Sequence, residues 1–430
     1  MAERVLVGLG AAAGGRESMP PASRRRERLV RSLLEEFESW GYGRVQTPLV
    51  EPYDVIARGL SEADRAQCVR FIEAGTGTLV ALRADVTPQI ARLVADRFGD
   101  ELAAGVVYRY CYAADVVRQP AVQGEPAEQH QVGVELLGDA DAWADAELVT
   151  LCDAALRRVG LTTFAIDVAH AQLASGVIDG AGLSAAARTD VLGRFARKDR
   201  GGVEDALARA GVASSRASAI ASLCDRLGPP HVVAVAKREL GTLLPAAIVD
   251  ALERVLDAVA SEGDDLAARL TVDLGETRGF DYYSGVRIRV WAPGVARPIV
   301  RGGRYDAMLG RYGAPAPATG FAIDLDALDQ ALGASVEASG TDRAHVIAVE
   351  PGADAAVRKH AASLARRARE QGERAWIQRA ADQPTAESRA AEACATRMSW
   401  VRRNASAIET RVHAYDGTRW HISESHSEES

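Results

Sequence analysis

The alternation of hydrophobic and polar positions predicts helices and strands in a mixed order. Between Pro20 and Gly41, apolar residues recur at helical spacing on an otherwise charged segment, which predicts an amphipathic helix. An alternating segment and a hairpin follow, and a second helix is predicted to begin near Thr87. Two strands separated by a Pro/Gly-rich loop then precede a helix from Ala144 to Val159. This order is typical of antiparallel pairing rather than of alternating βα units.

Changes in the pattern divide the chain into segments. Residues 1–19 form an N-terminal extension, and residues 20–335 form a core that contains an alanine-rich helical insertion over about 169–269. A small α/β unit is predicted over 342–422, and the polar residues 423–430 are predicted to be a disordered tail. The length of 430 residues agrees with two or three units, because a domain has roughly 150 residues.

Composition narrows the class of protein. Hydrophobic residues make up 47% and charged residues 26%, which is ordinary for a globular protein. The formal net charge of −8 argues against duplex nucleic acid as the partner of the whole chain. The five cysteines are odd in number and widely spaced, which predicts reduced thiols in a cytoplasmic protein and no metal site. No apolar run approaches the ~20 residues of a membrane span, so no membrane association is expected.

Two segments carry polar residues that are candidates for a binding site. In HQVGVELLG the strand period places Gln131, Gly133 and Glu135 on one face, where they can receive a small cationic ligand. A solvated edge strand explains this segment equally well. In LRADVTP, Asp85 and Thr87 precede a helix and are explained more simply as helix caps.

Two further segments place charged residues among apolar ones. Arg109 lies in VVYRYCYAADVVR, where a guanidinium needs an anionic ligand or a structural ion pair. The stretch TRGFDYYSGVRIRVW begins a predicted strand with Arg278, Tyr282 and Tyr283. The two tyrosines are expected to point to opposite faces of that strand.

Taken in order, the motifs WGYGRVQTPLVE, LRADVTP, YRY…EQHQVGVELLG, RGFDYY, GGRYD and ATGFAIDL resemble the catalytic core of histidyl-tRNA synthetases over about Pro20 to Leu332. The resemblance implies an α+β fold of the class II synthetase type, with an antiparallel sheet flanked by helices. The small unit at 342–422 matches the anticodon-binding domain of these enzymes poorly and is interpreted as a degraded counterpart.

The resemblance also implies a histidine site. Contacts to the amino group of histidine fall on Asp85, Thr87 and Gln131, and contacts to the imidazole fall on Glu135 with one or both of Tyr282 and Tyr283. Arg109 and Arg278 match arginines that hold carboxylate or phosphate oxygens. Such a set complements one cation, one anion and one ring.

Departures from the synthetase pattern argue against aminoacylation. Cys111 stands where the second motif is expected to have a glutamate, and Asp324, Asp326 and Ala327 stand where the third motif has glycine, glutamate and arginine. Loss of an arginine that faces a polyphosphate removes several kcal/mol of transition-state stabilisation. We therefore expect no catalytic residues, no cofactor and no tRNA partner.

The segment from Trp291 to Leu328 resembles the regulatory subunits of short-form ATP phosphoribosyltransferases, which are paralogues of the synthetases. That resemblance implies a cytoplasmic homodimer formed through the core, assembled with the catalytic subunit into a hetero-octamer. It implies that the subunit is needed for activity and confers feedback inhibition by L-histidine. The alternatives are a divergent histidyl-tRNA synthetase or amino-acid ligase, and a scaffold with a vestigial pocket.

Overall fold

The computed structural model describes residues 17–119, 127–261, 264–277, 282–333, 344–393, 395–416 and 418–429. They form two compact units, the first containing the described residues from Arg25 to Gly333 and the second those from Ala344 onward. Among the described residues, none of the helices combines the length and hydropathy needed to cross a membrane.

A mixed sheet of nine strands forms the centre of the first unit, and a three-stranded sheet lies beside it. The strands up to residue 333 are β1 (Gly43–Arg44), β2 (Val50–Pro52), β3 (Arg70–Ile72), β4 (Leu79–Leu82), β5 (Tyr108–Val117), β6 (Glu128–Leu137), β7 (Ala165–His170), β8 (Leu227–Gly228), β9 (Leu270–Asp273), β10 (Val286–Trp291), β11 (Val300–Arg304) and β12 (Ala318–Asp324). The large sheet has the order β1-β5-β6-β12-β11-β10-β7-β9-β8 and the small one the order β2-β4-β3. From β5 to β7 every neighbouring pair is antiparallel, as the sequence predicts.

Helices surround these sheets and fill the segment between β7 and β9. They are α1 (Ala22–Ser39), α2 (Tyr53–Ile56), α3 (Glu62–Gln67), α4 (Thr87–Ala103), α5 (Ala142–Arg158), α6 (Leu173–Asp179), α7 (Ala185–Ala196), α8 (Arg200–Arg209), α9 (Ser214–Ala221), α10 (Val232–Leu240), α11 (Ala246–Ser261), α12 (Asp264–Ala267), α13 (Ala307–Gly310) and α14 (Leu325–Leu332). The segment from α6 to α12 corresponds to the insertion expected over about 169–269.

Helices α1 and α4 pack against the large sheet because each presents an apolar stripe. The stripe of α1 includes the buried Phe37, whose ring meets that of Phe321 on β12 edge to face at 5.7 Å. The stripe of α4 includes Ile90 and Val94, which pack in one cluster with Tyr112 of β5. Each fully buried aliphatic side chain of this kind contributes about 1.5–3 kcal/mol. This packing holds the first turn of α4 beside the sheet.

The second unit is a smaller α/β structure. Its strands are β13 (Ala344–Val349), β14 (Arg374–Arg379), β15 (Arg397–Asn404), β16 (Ala407–Tyr415) and β17 (Trp420–Glu429), and its helices are α15 (Ala355–Glu370) and α16 (Gln383–Glu392). The sheet order is β14-β13-β15-β16-β17, with β13 parallel to both of its neighbours.

The disordered tail predicted for 423–430 is wrong over its described residues, which belong to β17. This strand pairs antiparallel with β16 from Trp420 to Glu429. Trp420 anchors its start, because the indole packs on Tyr415 at 5.0 Å and its Nε1 donates to the carbonyl oxygen of Glu387 at 3.0 Å. Backbone pairing of this kind does not require apolar side chains, which is why the polar composition misled the prediction.

Candidate functional site

Small residues lie opposite one another on one face of the large sheet. Gly320 on β12 lies opposite Glu135 on β6 and Gly303 on β11, and Ala322 lies opposite Gly133 and Arg301. Residues directly opposite each other in antiparallel strands share a face. We call Gly320 and Ala322 the floor, because both line a cavity and neither carries a side chain larger than a methyl group.

A cavity of about 760 Å³ lies against this floor. Five of the predicted site residues line it, from three separate parts of the first unit. These are Asp85, Thr87, Gln131, Tyr282 and Tyr283. The tyrosines precede β10 rather than beginning a strand, and both line the cavity. The prediction that they point to opposite faces of a strand is therefore wrong.

Glu135 lies beneath the cavity lining and is completely buried. Thr87 Oγ1 donates to Glu135 Oε1 at 2.5 Å, and the Tyr305 hydroxyl donates to Oε2. Burial raises the pKa of Glu135 to about 8, although both hydrogen bonds oppose that rise. Glu135 therefore accepts hydrogen bonds from the two hydroxyl groups that do line the cavity, and burial favours its protonated form.

Hydrogen-bond acceptors on one side of the cavity suit a small cation. Gln131 Oε1 is buried without a hydrogen-bond partner among the described residues. Asp85 accepts a hydrogen bond from the backbone N–H of Val86 at 2.8 Å. Burial raises the pKa of Asp85, while Arg118 acts in the opposite direction. An ammonium group supplies donors to both residues and favours the charged form of Asp85.

The prediction that Arg109 contributes to this site is wrong. Arg109 lies opposite Leu136 in the pairing of β5 with β6, so it projects from the face opposite to that of Glu135. Its guanidinium binds both oxygens of Glu147, at 2.9 and 2.8 Å, and those hydrogen bonds raise the pKa of Arg109. Arg109 therefore forms a structural ion pair, which is the alternative to an anionic ligand that the sequence left open.

The cavity arginine that follows β5 is Arg118, nine positions after Arg109. Its Nε donates to the carbonyl oxygen of Ala84, next to Asp85, at 2.7 Å. Even-numbered residues of β5 share the face of Glu135, as Tyr110 does. If the alternation of faces along β5 is continued past its end, Arg118 lies on the face of the cavity and Arg109 on the opposite face.

The remaining predicted residues have three different outcomes. Arg278 lies outside the described residues. Cys111 is buried on the face opposite to that of Glu135. A glutamate at this position would not face the cavity, so the cysteine found there is no argument against aminoacylation. Asp324 lines the cavity and caps α14, and Ala327 is buried in the first turn of that helix. Across the described ranges, no group of three or more His, Cys, Asp and Glu residues could hold a metal ion.

Gly320→Ala is expected to disrupt this site. An added Cβ would overlap Glu135 Oε2 and lie 2.5 Å from the carbonyl oxygen of Val134. Overpacking of this kind lowers the free energy of unfolding by about 1–3 kcal/mol, which urea denaturation measures. Gly201→Ala in α8 is the matched control, since nothing lies within 4 Å of its added Cβ. Equal stability of the two variants would contradict the close packing of Gly320.

Comparison with known proteins gives consistent matches. A family model described as histidyl-tRNA synthetase matches residues 14–328. An ATP phosphoribosyltransferase regulatory subunit from Anaeromyxobacter sp. (strain Fw109-5) is 40% identical over 328 residues, covering 76% of this chain and 94% of the relative.

Solved structures match over a larger part of the chain. An ATP phosphoribosyltransferase regulatory subunit/histidyl-tRNA synthetase from Bacillus halodurans C has a TM-score of 0.75 at 26% identity, covering 89% of this chain and 96% of that one. Histidyl-tRNA synthetase from Nostoc sp. PCC 7120 has a TM-score of 0.79 at 18% identity, covering 98% of this chain and 97% of that one, which supports the fold alone. The class II synthetase-like fold predicted from sequence is confirmed.

Proposed function

Since the chain belongs to the family of ATP phosphoribosyltransferase regulatory subunits with a histidyl-tRNA synthetase-like fold, we propose that it binds L-histidine and transmits the occupancy of its cavity to the catalytic subunit. It acts as a regulatory subunit in the first step of histidine biosynthesis and has no catalytic residue of its own. Feedback of this kind requires that histidine bind the active and inhibited states of the complex with different affinities.

The arrangement of acceptors in the cavity carries the proposal. The unpartnered Gln131 Oε1 and the carboxylate of Asp85 are placed to receive the ammonium group of an amino acid. Tyr282 and Tyr283 supply a wall for a flat ring, and burial raises the pKa of Tyr283 to about 12, so its hydroxyl remains a donor. Thr87 completes this side of the site, and Glu135 beneath it accepts the hydrogen bond of the Thr87 hydroxyl.

Adenylation is not expected, although Arg118 remains in the cavity. Asp324 adds a carboxylate where the synthetase pattern has glycine, and Ala327 provides no guanidinium. A polyphosphate placed there would meet one repulsive charge more and one attractive charge fewer than in a synthetase. We therefore favour a histidine sensor over a divergent synthetase or ligase.

The assembly and its location are also proposals. Large apolar side chains are exposed at and beside the small sheet, namely Leu49, Val50, Phe71, Ile72 and Leu79. These exposed side chains offer a surface for a second copy of the chain in the homodimer implied by the family. The hetero-octamer with the catalytic subunit and the cytoplasmic location rest on family resemblance alone.

Calorimetric titration with L-histidine tests this function. The wild-type protein is expected to bind histidine saturably, and Asp85→Asn is expected to weaken binding roughly 10- to 100-fold, because a hydrogen bond to a charged group contributes about 1.5–3 kcal/mol. Asp54→Asn is the control, since Asp54 is exposed and does not line the cavity.

Reconstitution with a short-form catalytic subunit completes this test. Inhibition of phosphoribosyl transfer by histidine is expected to weaken in Asp85→Asn by the same factor as binding. Inhibition that persists unchanged while the cavity no longer binds histidine would place the inhibitory site elsewhere. Histidine-dependent ATP–pyrophosphate exchange by the chain alone would favour the synthetase alternative.

A further inference from the structure

Arg301 differs from the other described arginines that line the cavity. It projects from β11 beside the floor, opposite Ala322, and lies at the edge of the open space. Among the described residues, neither a hydrogen bond nor an ion pair engages its guanidinium. By contrast, Arg118 donates to the carbonyl oxygen of Ala84, and Arg287 and Arg289 each pair with Glu276, at 3.2 and 2.8 Å respectively.

The carboxylate of Asp324, which is best placed to pair with Arg301, already accepts hydrogen bonds from other groups. Asp324 is bound by Arg297 Nε at 2.9 Å, and its other oxygen accepts the backbone N–H groups of Asp326 and Ala327 at 3.0 Å each. The cap of α14 therefore holds Asp324 in place. Arg301 is exposed at the rim of the cavity, and its guanidinium has no acceptor among the described residues.

The charge around Arg301 favours an anion. Although Arg301 is exposed overall, its partial burial against the cavity wall lowers its pKa, and the positive charge of Arg118 lowers it further, while Asp324 acts in the opposite direction. Asp324 offsets part of the repulsion between the two guanidinium groups, and an anion held between them would offset it further. Both side chains line the same cavity as Asp85 and Gln131.

The strands that carry Gln131 and Arg301 are separated by β12. Gly133 and Arg301 lie on the two strands that flank β12, so about two strand spacings of 4.7–4.9 Å separate them. Gln131 lies two positions before Gly133 on the same face of β6. An arginine side chain can reach across this floor, because Ala322 between the two strands presents only a methyl group.

We propose that Arg301 binds the carboxylate of the amino acid in this cavity and so distinguishes an amino acid from the corresponding amine. This inference rests on the proposed function, since it assigns one group of the same ligand. It makes Arg301 a specificity-determining residue, with its planar fork of donors matched to the two oxygens of a carboxylate.

A comparison of two ligands with two forms of the protein tests the assignment. Wild type and Arg301→Gln are each titrated with L-histidine and with histamine, which lacks the carboxylate. Wild type is expected to prefer histidine, and Arg301→Gln is expected to lose roughly 10- to 100-fold in histidine affinity. Its affinity for histamine is expected to stay the same or rise, because no carboxylate contact is lost. Arg301→Lys is expected to retain part of the preference, because it keeps the charge but not the fork.

The possible outcomes separate this assignment from the proposed function. A wild-type protein that binds neither ligand overturns both. If the wild-type protein binds histidine but Arg301→Gln loses affinity equally for both ligands, only the role of Arg301 is overturned. The same holds if Arg301→Gln loses no affinity. The exposed Arg311→Gln is the control for a change in net charge. Urea denaturation of Arg301→Gln checks that the fold is retained.

Discussion

Arg304→Met is expected to lower the free energy of unfolding by about 3–5 kcal/mol. Arg304 ends β11 and is buried. Its Nε contacts Asp145 Oδ2 at 2.9 Å, and its two terminal nitrogens donate to the carbonyl oxygens of Asp139 and Asp141 at 2.9 and 3.2 Å. Methionine fills much of the same volume but leaves a buried carboxylate without its cation. Urea denaturation at neutral pH measures the loss.

Arg158→Met is the matched control for this prediction. Arg158 pairs with Glu35 and Glu36 at 3.0 and 3.2 Å, but its side chain is 42% exposed. An exposed pair of this kind contributes about 0–1 kcal/mol. Combining Arg304→Met with Asp145→Leu is expected to recover part of the lost stability, since the uncompensated charge is then removed. Similar losses for Arg304→Met and Arg158→Met would contradict a structural role for the buried pair.

Arg304 lies in GGRYD, one of the motifs on which the family resemblance rests. The sequence suggests a glycine turn that approaches a ligand, and Gly303 lies opposite Gly320 of the floor, where its lack of a side chain lets Tyr283 pack closely. The arginine of the same motif turns to Asp145 and helps hold the start of α5 beside β11. A motif of a few residues thus contains one residue that shapes the cavity and one that supports the surrounding fold.

The sequence predicts the polar residues of the site well where they lie on a single strand, because the alternation along that strand assigns them to one face. The alternation in HQVGVELLG places Gln131 and Glu135 on one face, as the register with β12 shows. The same alternation cannot tell which residue on that face lines a cavity and which lies beneath it. Glu135 lies beneath because α4 brings Thr87 over it and β11 leads into Tyr305 beside it, and both contacts join residues far apart in sequence.

The arginines show the limit of motif matching more directly. Arg109 has the expected neighbours in sequence, but the register of β5 turns it away from the cavity. Arg118 and Arg301 face the cavity, and each was missed for a different reason. Arg118 was identifiable from the period of two once the register was known. Arg301 stands beside two glycines, and no sequence motif around it indicates a binding role. Its lack of a partner becomes visible only because Asp324 is bound by Arg297.

The pH dependence of stability should differ between the wild-type protein and Glu135→Gln. Glu135 has a pKa raised from its usual 4.5 to about 8 by burial. Between these values the folded protein holds a proton that the unfolded chain releases, so rising pH favours unfolding. The stabilisation is complete below about pH 4.5 and is lost as pH rises through about 8, at about 1.4 kcal/mol per pH unit between those values.

Glutamine keeps the shape of the protonated carboxyl group but does not titrate. Unfolding free energies of the two proteins, measured in urea at several pH values from 5 to 8, are therefore expected to be most alike near pH 5 and to diverge as pH rises, because only the wild-type protein loses stability through this group. The comparison removes the effect of His170, whose pKa is lowered to about 4 by burial and which acts in the opposite direction in both proteins. The groups that face Glu135 are Asp85, Tyr112, Tyr282 and Tyr305, and all of them are retained. Parallel curves would mean that Glu135 is ionised in the folded protein, and that Thr87 and Tyr305 bind a charged carboxylate.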